Sequence, residues 1–245
     1  NTTSAATLDR TSGSEITVLG MGASMPATLY QESAELFLRC PQTITSLDQV
    51  ADIQYWPSGS GAGIDKISSA TASTVDFAGS DVVDSVPELI KEQGIGADTV
   101  DLAYFPSAAT AVAIIANVPL QSSPESGENA DLSNLLPLSL TQETLALIFS
   151  GAITRWDDPQ IVATNRNLAL LLPDHQIVPV VRNESSGTTA IFVRALSAFA
   201  ADGISAASDN FASAIDVSNP MLPIWPDTLT RFLRASKSSG VINSV

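Results

Sequence analysis

The 245 residues predict an α/β chain on a mostly parallel sheet or sheets, and two observations carry that expectation. Short β-like runs alternate with helix-patterned runs, and three of the junctions are loops of Gly, Ser and Thr that feed directly into a helix. At 44% apolar residues the chain has ample material for one large or two medium domains.

The β-like runs are "EITVLG" (15–20), "ADIQYW" (51–56), "TVDFAGS" (74–80), "LAYFP" (102–106), "ATAVAIIANV" (109–118) and "QIVPVVR" (176–182). Between them, Pro26 suits the first turn of a helix that sets Tyr30, Ala34, Phe37 and Leu38 on one face. "GIDKISSAT" places Ile64 and Ile67 together, and "TAIFVRALSAFA" stacks Phe192, Leu196 and Phe199. Ser139 and Gln142 form a candidate capping box for "TQETLALIFSG", which Gly151 stops. The stretch 120–134 is rich in Ser, Glu, Asn and Gly and reads as a polar insert, while "KSSGVINSV" reads as the first turn of one more helix.

Composition excludes several classes of function. A formal charge of -15 with only 11 basic residues argues against nucleic acid or an anionic membrane as partner. No apolar run is long enough to span a bilayer, and the N-terminal stretch has no signal-like apolar core; a signal peptide, if one existed, is expected to have been removed. Cys40 is the single cysteine, so neither an internal disulfide nor a cysteine-rich zinc site can form, and a buried thiol is expected. His175, the single histidine, follows Pro173 and Asp174 and is expected on a surface loop. No metal or cofactor is called for. The sequence contains no G-x-S-x-G and no H-x-x-x-H, which leaves a hydrolase with little support. Sequons at Asn1 and Asn183 mark candidate glycosylation sites.

The chemistry repeats in three places. "GMGASMP", "PSGSGAG" and "NESSGTT" each put Gly and hydroxyl residues at a helix start, where unpaired N–H groups and the dipole favour an anion. Arg182 adds a two-pronged charge-assisted donor. Asp81 and Glu184 would repel an anion unless it carries a proton, and hydrogen phosphate does so where sulfate at neutral pH does not. No G-x-x-x-x-G-K-[ST] is present, so these are not nucleotide P-loops.

With these motifs in place the chain resembles the phosphate-binding proteins of phosphate ABC transporters, in the two-domain periplasmic binding protein superfamily. "GMGASMPATLY", "YWPSGSGAGIDKI", "TVDFAGSD", "LIFSGAITRWDDPQI" and "VVRNESSGTTAIF" are similar to five ordered family motifs spanning about Gly20 to Phe199. The resemblance implies a two-lobed fold with a ligand cleft between lobes, lobe I over 1–110 and lobe II over 111–245, the latter with the insert. It implies phosphate ligands at Ser24, the N–H of Met25, Ser60, Asp81, Arg182, Ser186, Gly187 and Thr188. Glu184 takes the place of the usual Asp as salt-bridge partner of Arg182, Ser185 that of the usual Gly, and Met25 that of the usual Phe.

Family members continue past the point where this chain ends, so the C-terminal return of the first lobe is expected to be missing and supplied from elsewhere. The implied role is binding of inorganic phosphate by a secreted solute-binding protein, or by a phosphate sensor or scavenger, extracellular, at the cell surface or periplasmic, with an ABC permease or other subunits of an extracellular assembly as partner. The alternative is a structural or adhesive module within a larger extracellular assembly.

Overall fold

The computed structural model describes residues 16–40, 50–68, 75–82, 103–120, 138–201, 215–219, 221–225 and 232–245. By its internal contacts the chain divides into two units, Asn1–Ala111 with Glu184–Gly187, and Val112–Asn183 with Thr188–Val245. Asn1 and the insert beyond Leu120 lie outside the described residues.

In the first unit three strands form a parallel sheet in the order β2-β1-β3, where β1 is Ile16–Gly22, β2 is Val50–Pro57 and β3 is Phe77–Gly79. Helix α1 (Ala27–Arg39) follows β1, and α2 (Ser60–Ile67) follows β2. The register aligns Gly22 with both Pro57 and Gly79, so the three strands finish level. The start of β3 is braced from outside the ladder: Asp76 accepts from the Leu19 N–H at 2.8 Å and returns its own N–H to the Leu19 carbonyl at 2.7 Å.

The core of this sheet is small and aromatic. The rings of Tyr30 and Tyr55 meet edge-on at 4.8 Å, and Phe77 stacks against Tyr55 at 5.8 Å. Gly20 lies beneath the Phe77 ring, which leaves no room for a side chain there. On α1 only Ala34 is buried, with Tyr30 and Phe37 half-buried; Leu38, expected on that face, points outward. Pro26 caps α1 instead of occupying its first turn.

The second unit contains α3 (Gln142–Phe149), α4 (Pro159–Thr164), β4 (Val180–Arg182), α5 (Gly187–Ala201, whose first residue belongs to the first unit), β5 (Leu233–Ala235) and α6 (Lys237–Ser244). Strands β4 and β5 pair in parallel. One core gathers Leu147, Ile148, Ile153, Trp156, Ile161 and Leu172. Another sets Val181, Val193, Leu196 and Ile215 around Trp225, whose ring stacks on Phe232 at 5.6 Å. Phe192 and Phe199 pack against this second core with Leu196, as their spacing predicts.

Asn165 ties the first of these cores to the chain that enters α3. It is buried; its Oδ1 accepts from the Ser139 N–H, and its Nδ2 donates to the Ser139 and Ile161 carbonyls, all at 2.7 Å. That use of Ser139 corrects the expected capping box: α3 is capped by Thr141, whose hydroxyl accepts from the Thr144 N–H at 3.0 Å. Gly151 ends the turn after α3 at φ +78, a conformation glycine adopts without steric cost.

Two strand expectations fail. Residues 103–118, which include the described part of "LAYFP" and all of "ATAVAIIANV", form no strand. A β-like composition becomes a strand only when a neighbouring backbone completes the ladder, and none pairs with it among the described residues. Consequently Tyr104, Phe105, Ile114 and Ile115 are exposed. The run 176–182 shortens to β4, since Pro179 has no N–H to give a ladder.

Cys40 also differs from expectation: it is exposed, because it falls one residue past the last turn of α1 and its N–H closes that turn on Leu36 and Phe37. His175 lies on the surface as expected, its carbonyl accepting from the Trp156 N–H at 3.1 Å. The final turn-like run is helical as α6.

Candidate anion-binding site

Level strand ends bring three loops to the same edge of the first unit. In open α/β sheets ligands sit outside the carboxyl ends of the strands, where helix N-termini also point. Here Ala23–Met25 leave β1, Ser58–Ser60 leave β2, and Ser80–Asp81 leave β3.

The first two loops are stitched together by one carbonyl. Gly22 O accepts from the Ser58 N–H at 2.9 Å and from the Gly59 N–H at 2.8 Å, while the Ala23 N–H donates to Gly79 O at 2.8 Å. Gly22 itself has φ +141 with the Gly79 backbone directly against it, so no side chain fits. The Tyr55 hydroxyl, inside the sheet, donates to the Ala23 carbonyl at 2.8 Å. Burial first, then the neighbouring Tyr30 and Asp81, push the Tyr55 phenol well above the usual tyrosine range, so it stays a donor.

Onto this edge fits the Glu184–Gly187 segment, which belongs to the first unit. Gly59, at φ +98, faces the Ser185 carbonyl, and Gly61 faces the Ser185 hydroxyl. At Gly187 a Cβ would stand 2.6 Å from Ser60 Oγ and 2.8 Å from Asp81 Cβ. Ser60 Oγ accepts from the Asp81 N–H at 3.4 Å. Ser60, Asp81, Ser186 and Gly187 are therefore neighbours, and Ser60 and Ser186 are almost fully buried. Ser24 and Met25 are half-buried in the turn that opens α1.

Arg182 and Thr188 belong to the second unit. Arg182 is the last residue of β4 and is buried, and Thr188 is the second residue of α5. Asn183 is exposed; its N–H donates to Ala235 O at 3.2 Å, and its Oδ1 accepts from Ser236 Oγ at 3.1 Å. No cluster of three or more His, Cys, Asp or Glu residues suited to a metal occurs among the described residues.

A family model described as the PBP superfamily domain matches residues 6–226. The chain belongs to that family. The PBP-like α/β expectation raised by the five motifs is thereby met. Among curated relatives, the phosphate-binding protein PstS of Haemophilus influenzae is 30% identical over 187 residues, covering 76% of this chain and 46% of its own. PstS of Xylella fastidiosa strain Temecula1 is 37% identical over 152 residues, covering 61% of this chain and 34% of its own. The chain thus spans less than half the length of these relatives.

Tyr55, Ser58 and Ser185 were not singled out from sequence as parts of the site. Tyr55 had a signal, since it stands at the head of the second motif. Ser58 had none beyond its place in a Gly/Ser loop, and Ser185 was marked only as standing where the family has Gly.

Proposed function

We propose that this family member binds inorganic phosphate, as a solute-binding protein that hands it to an ABC permease outside the cytoplasm. The observation that supports it most is the convergence of Ser60, Asp81 and Glu184–Gly187 beyond the level ends of three parallel strands. The names of the curated relatives agree with it.

In this reading Ser24, Ser60, Ser186 and Thr188 donate hydroxyl protons, and the N–H groups of Met25 and Gly187 add backbone donors. Arg182 supplies a bidentate charged contact. Asp81 accepts the proton of hydrogen phosphate and thereby rejects sulfate, which would set lone pairs against a carboxylate. Binding needs no cofactor and no covalent step. Among the described residues no helix is long and apolar enough to cross a membrane.

Calorimetric titration with phosphate and then sulfate tests the reading. Phosphate is expected to give saturable heat that Arg182→Ala removes, with sulfate silent. If neither anion binds, the reading fails.

A second reading, a structural or adhesive module of an extracellular assembly, is favoured by the exposed Tyr104, Phe105, Ile114 and Ile115 and by the exposed sequon residue Asn183. A glycan on Asn183 in the mass spectrum of the native protein supports it.

A further inference from the structure

The Glu184–Gly187 segment and the turn that opens α2 fit each other through small residues on both sides. At Gly61 a Cβ would collide with the Ser185 hydroxyl and stand 2.5 Å from Ser185 Cβ. Turning the hydroxyl to another rotamer leaves Ser185 Cβ where it is, so a side chain at 61 fits only if the backbone at 185 moves. Gly59 presents its bare Cα to the Ser185 carbonyl, where a Cβ would stand 2.6 Å from the oxygen.

Two residues on, the relation reverses. Gly187 is the bare residue, and Ser60 Oγ and Asp81 Cβ fill the space before it. Ser185 over Gly59 and Gly61, and Ser60 with Asp81 over Gly187, thus clasp the segment on either side of Ser186, which is almost fully buried.

We infer that Ser185 is a positioning residue of the anion site: seated on Gly59 and Gly61, it holds Ser186 and Gly187 against Ser60 and Asp81. The inference rests on the phosphate-binding reading and deepens it. Ser185 stands where the resembling motif has Gly, so that motif does not call for this contact. A segment held by its own packing leaves less to be ordered when an anion arrives, which raises the fraction of chains competent to bind and with it the apparent affinity. Glycine at 185 removes the side-chain contact and widens the freedom of the backbone.

The test is a double-mutant cycle of Gly61→Ala and Ser185→Gly, each protein titrated with inorganic phosphate and melted without added anion. Ser185→Gly alone is expected to raise the phosphate Kd about fivefold. Gly61→Ala alone should raise it about tenfold or more, because its methyl group drives Ser185 off its seat. In the Ser185→Gly background the same methyl group meets only the Cα of 185, at 3.7 Å, an ordinary contact, so there Gly61→Ala should change the Kd by less than about twofold. An equal factor in both backgrounds overturns the inference, and so does coupling that shows in Tm but not in Kd, since Ser185 then braces the fold without serving the site. If Gly61→Ala does not fold, Ser185→Ala decides beside Ser185→Gly: alanine keeps the Cβ on Gly61 and should hold the Kd within about twofold, and equal Kd values for the two variants overturn the inference. These failures leave phosphate binding standing, whereas no phosphate heat from the unaltered chain removes both readings.

Discussion

The Tyr55 hydroxyl donates to the Ala23 carbonyl at 2.8 Å, joining a buried ring of β2 to the loop that leaves β1. Ala23 immediately precedes Ser24 and Met25, so this bond helps set where their donors point. Tyr55→Phe keeps the ring and its packing on Tyr30 and Phe77 but leaves a carbonyl unpaired, at a cost of about 1–3 kcal/mol. Urea unfolding at neutral pH measures it.

The same phenol predicts a pH dependence. Its pKa is raised in the folded state, so its contribution is complete below the ordinary tyrosine value of about 10. As pH climbs past that value the unfolded chain releases the proton and the folded chain keeps it, so stability falls toward the folded pKa. Tyr55→Phe should fall less steeply over that alkaline range. Parallel slopes for the two proteins, from unfolding curves at stepped pH, count against this account.

Gly22→Ala places a methyl group against the Gly79 backbone at φ +141, where no side chain relaxes easily. A loss of roughly 2–4 kcal/mol is expected, read as a drop in Tm. An unchanged Tm contradicts the level packing of β1 and β3.

Gly187→Ala separates local from distant effects. Alanine is the better helix former by about 1 kcal/mol, so the first turn of α5 gains. The new methyl group nevertheless meets Ser60 Oγ and Asp81 Cβ, at 2.6 and 2.8 Å. Phosphate Kd should therefore rise by about tenfold or more, and Tm should fall, because displacing the buried Ser60 costs more than the helix gains. Undiminished affinity means that the 184–187 segment and Ser60 do not share a ligand.

Asn165→Leu removes the buried amide that serves Ser139 and Ile161. The Ser139 N–H loses its acceptor, while the two carbonyls keep the Thr164 hydroxyl as a donor, which predicts a loss of about 2 kcal/mol in denaturant unfolding. A loss below about 1 kcal/mol means that solvent replaces the amide.

Residues whose role is local were legible from the chain alone. Gly151 stops α3, Phe192, Leu196 and Phe199 share a face, and the Gly/Ser/Thr loops open helices, because capping and periodicity act over a few residues. The family motifs are likewise contiguous, and they identified Ser60, Asp81 and Gly187 before any contact among them was visible.

Pairing and burial were decided by the tertiary structure, for a physical reason. A strand exists only through hydrogen bonds to another strand, so "ATAVAIIANV" and "TVDFAGS" look alike in sequence, yet among the described residues only the latter gains a neighbour, along β1. A cap is whichever hydroxyl the backbone can reach, and once Asn165 holds Ser139 the role passes to Thr141. Burial is a property of the surroundings, which is why Cys40 lies in solvent and Ser58 does not show its hydroxyl to it. Sequence determined the family and the residue types of the three loops; the shared register of Gly22, Pro57 and Gly79 decided that those loops leave the sheet side by side.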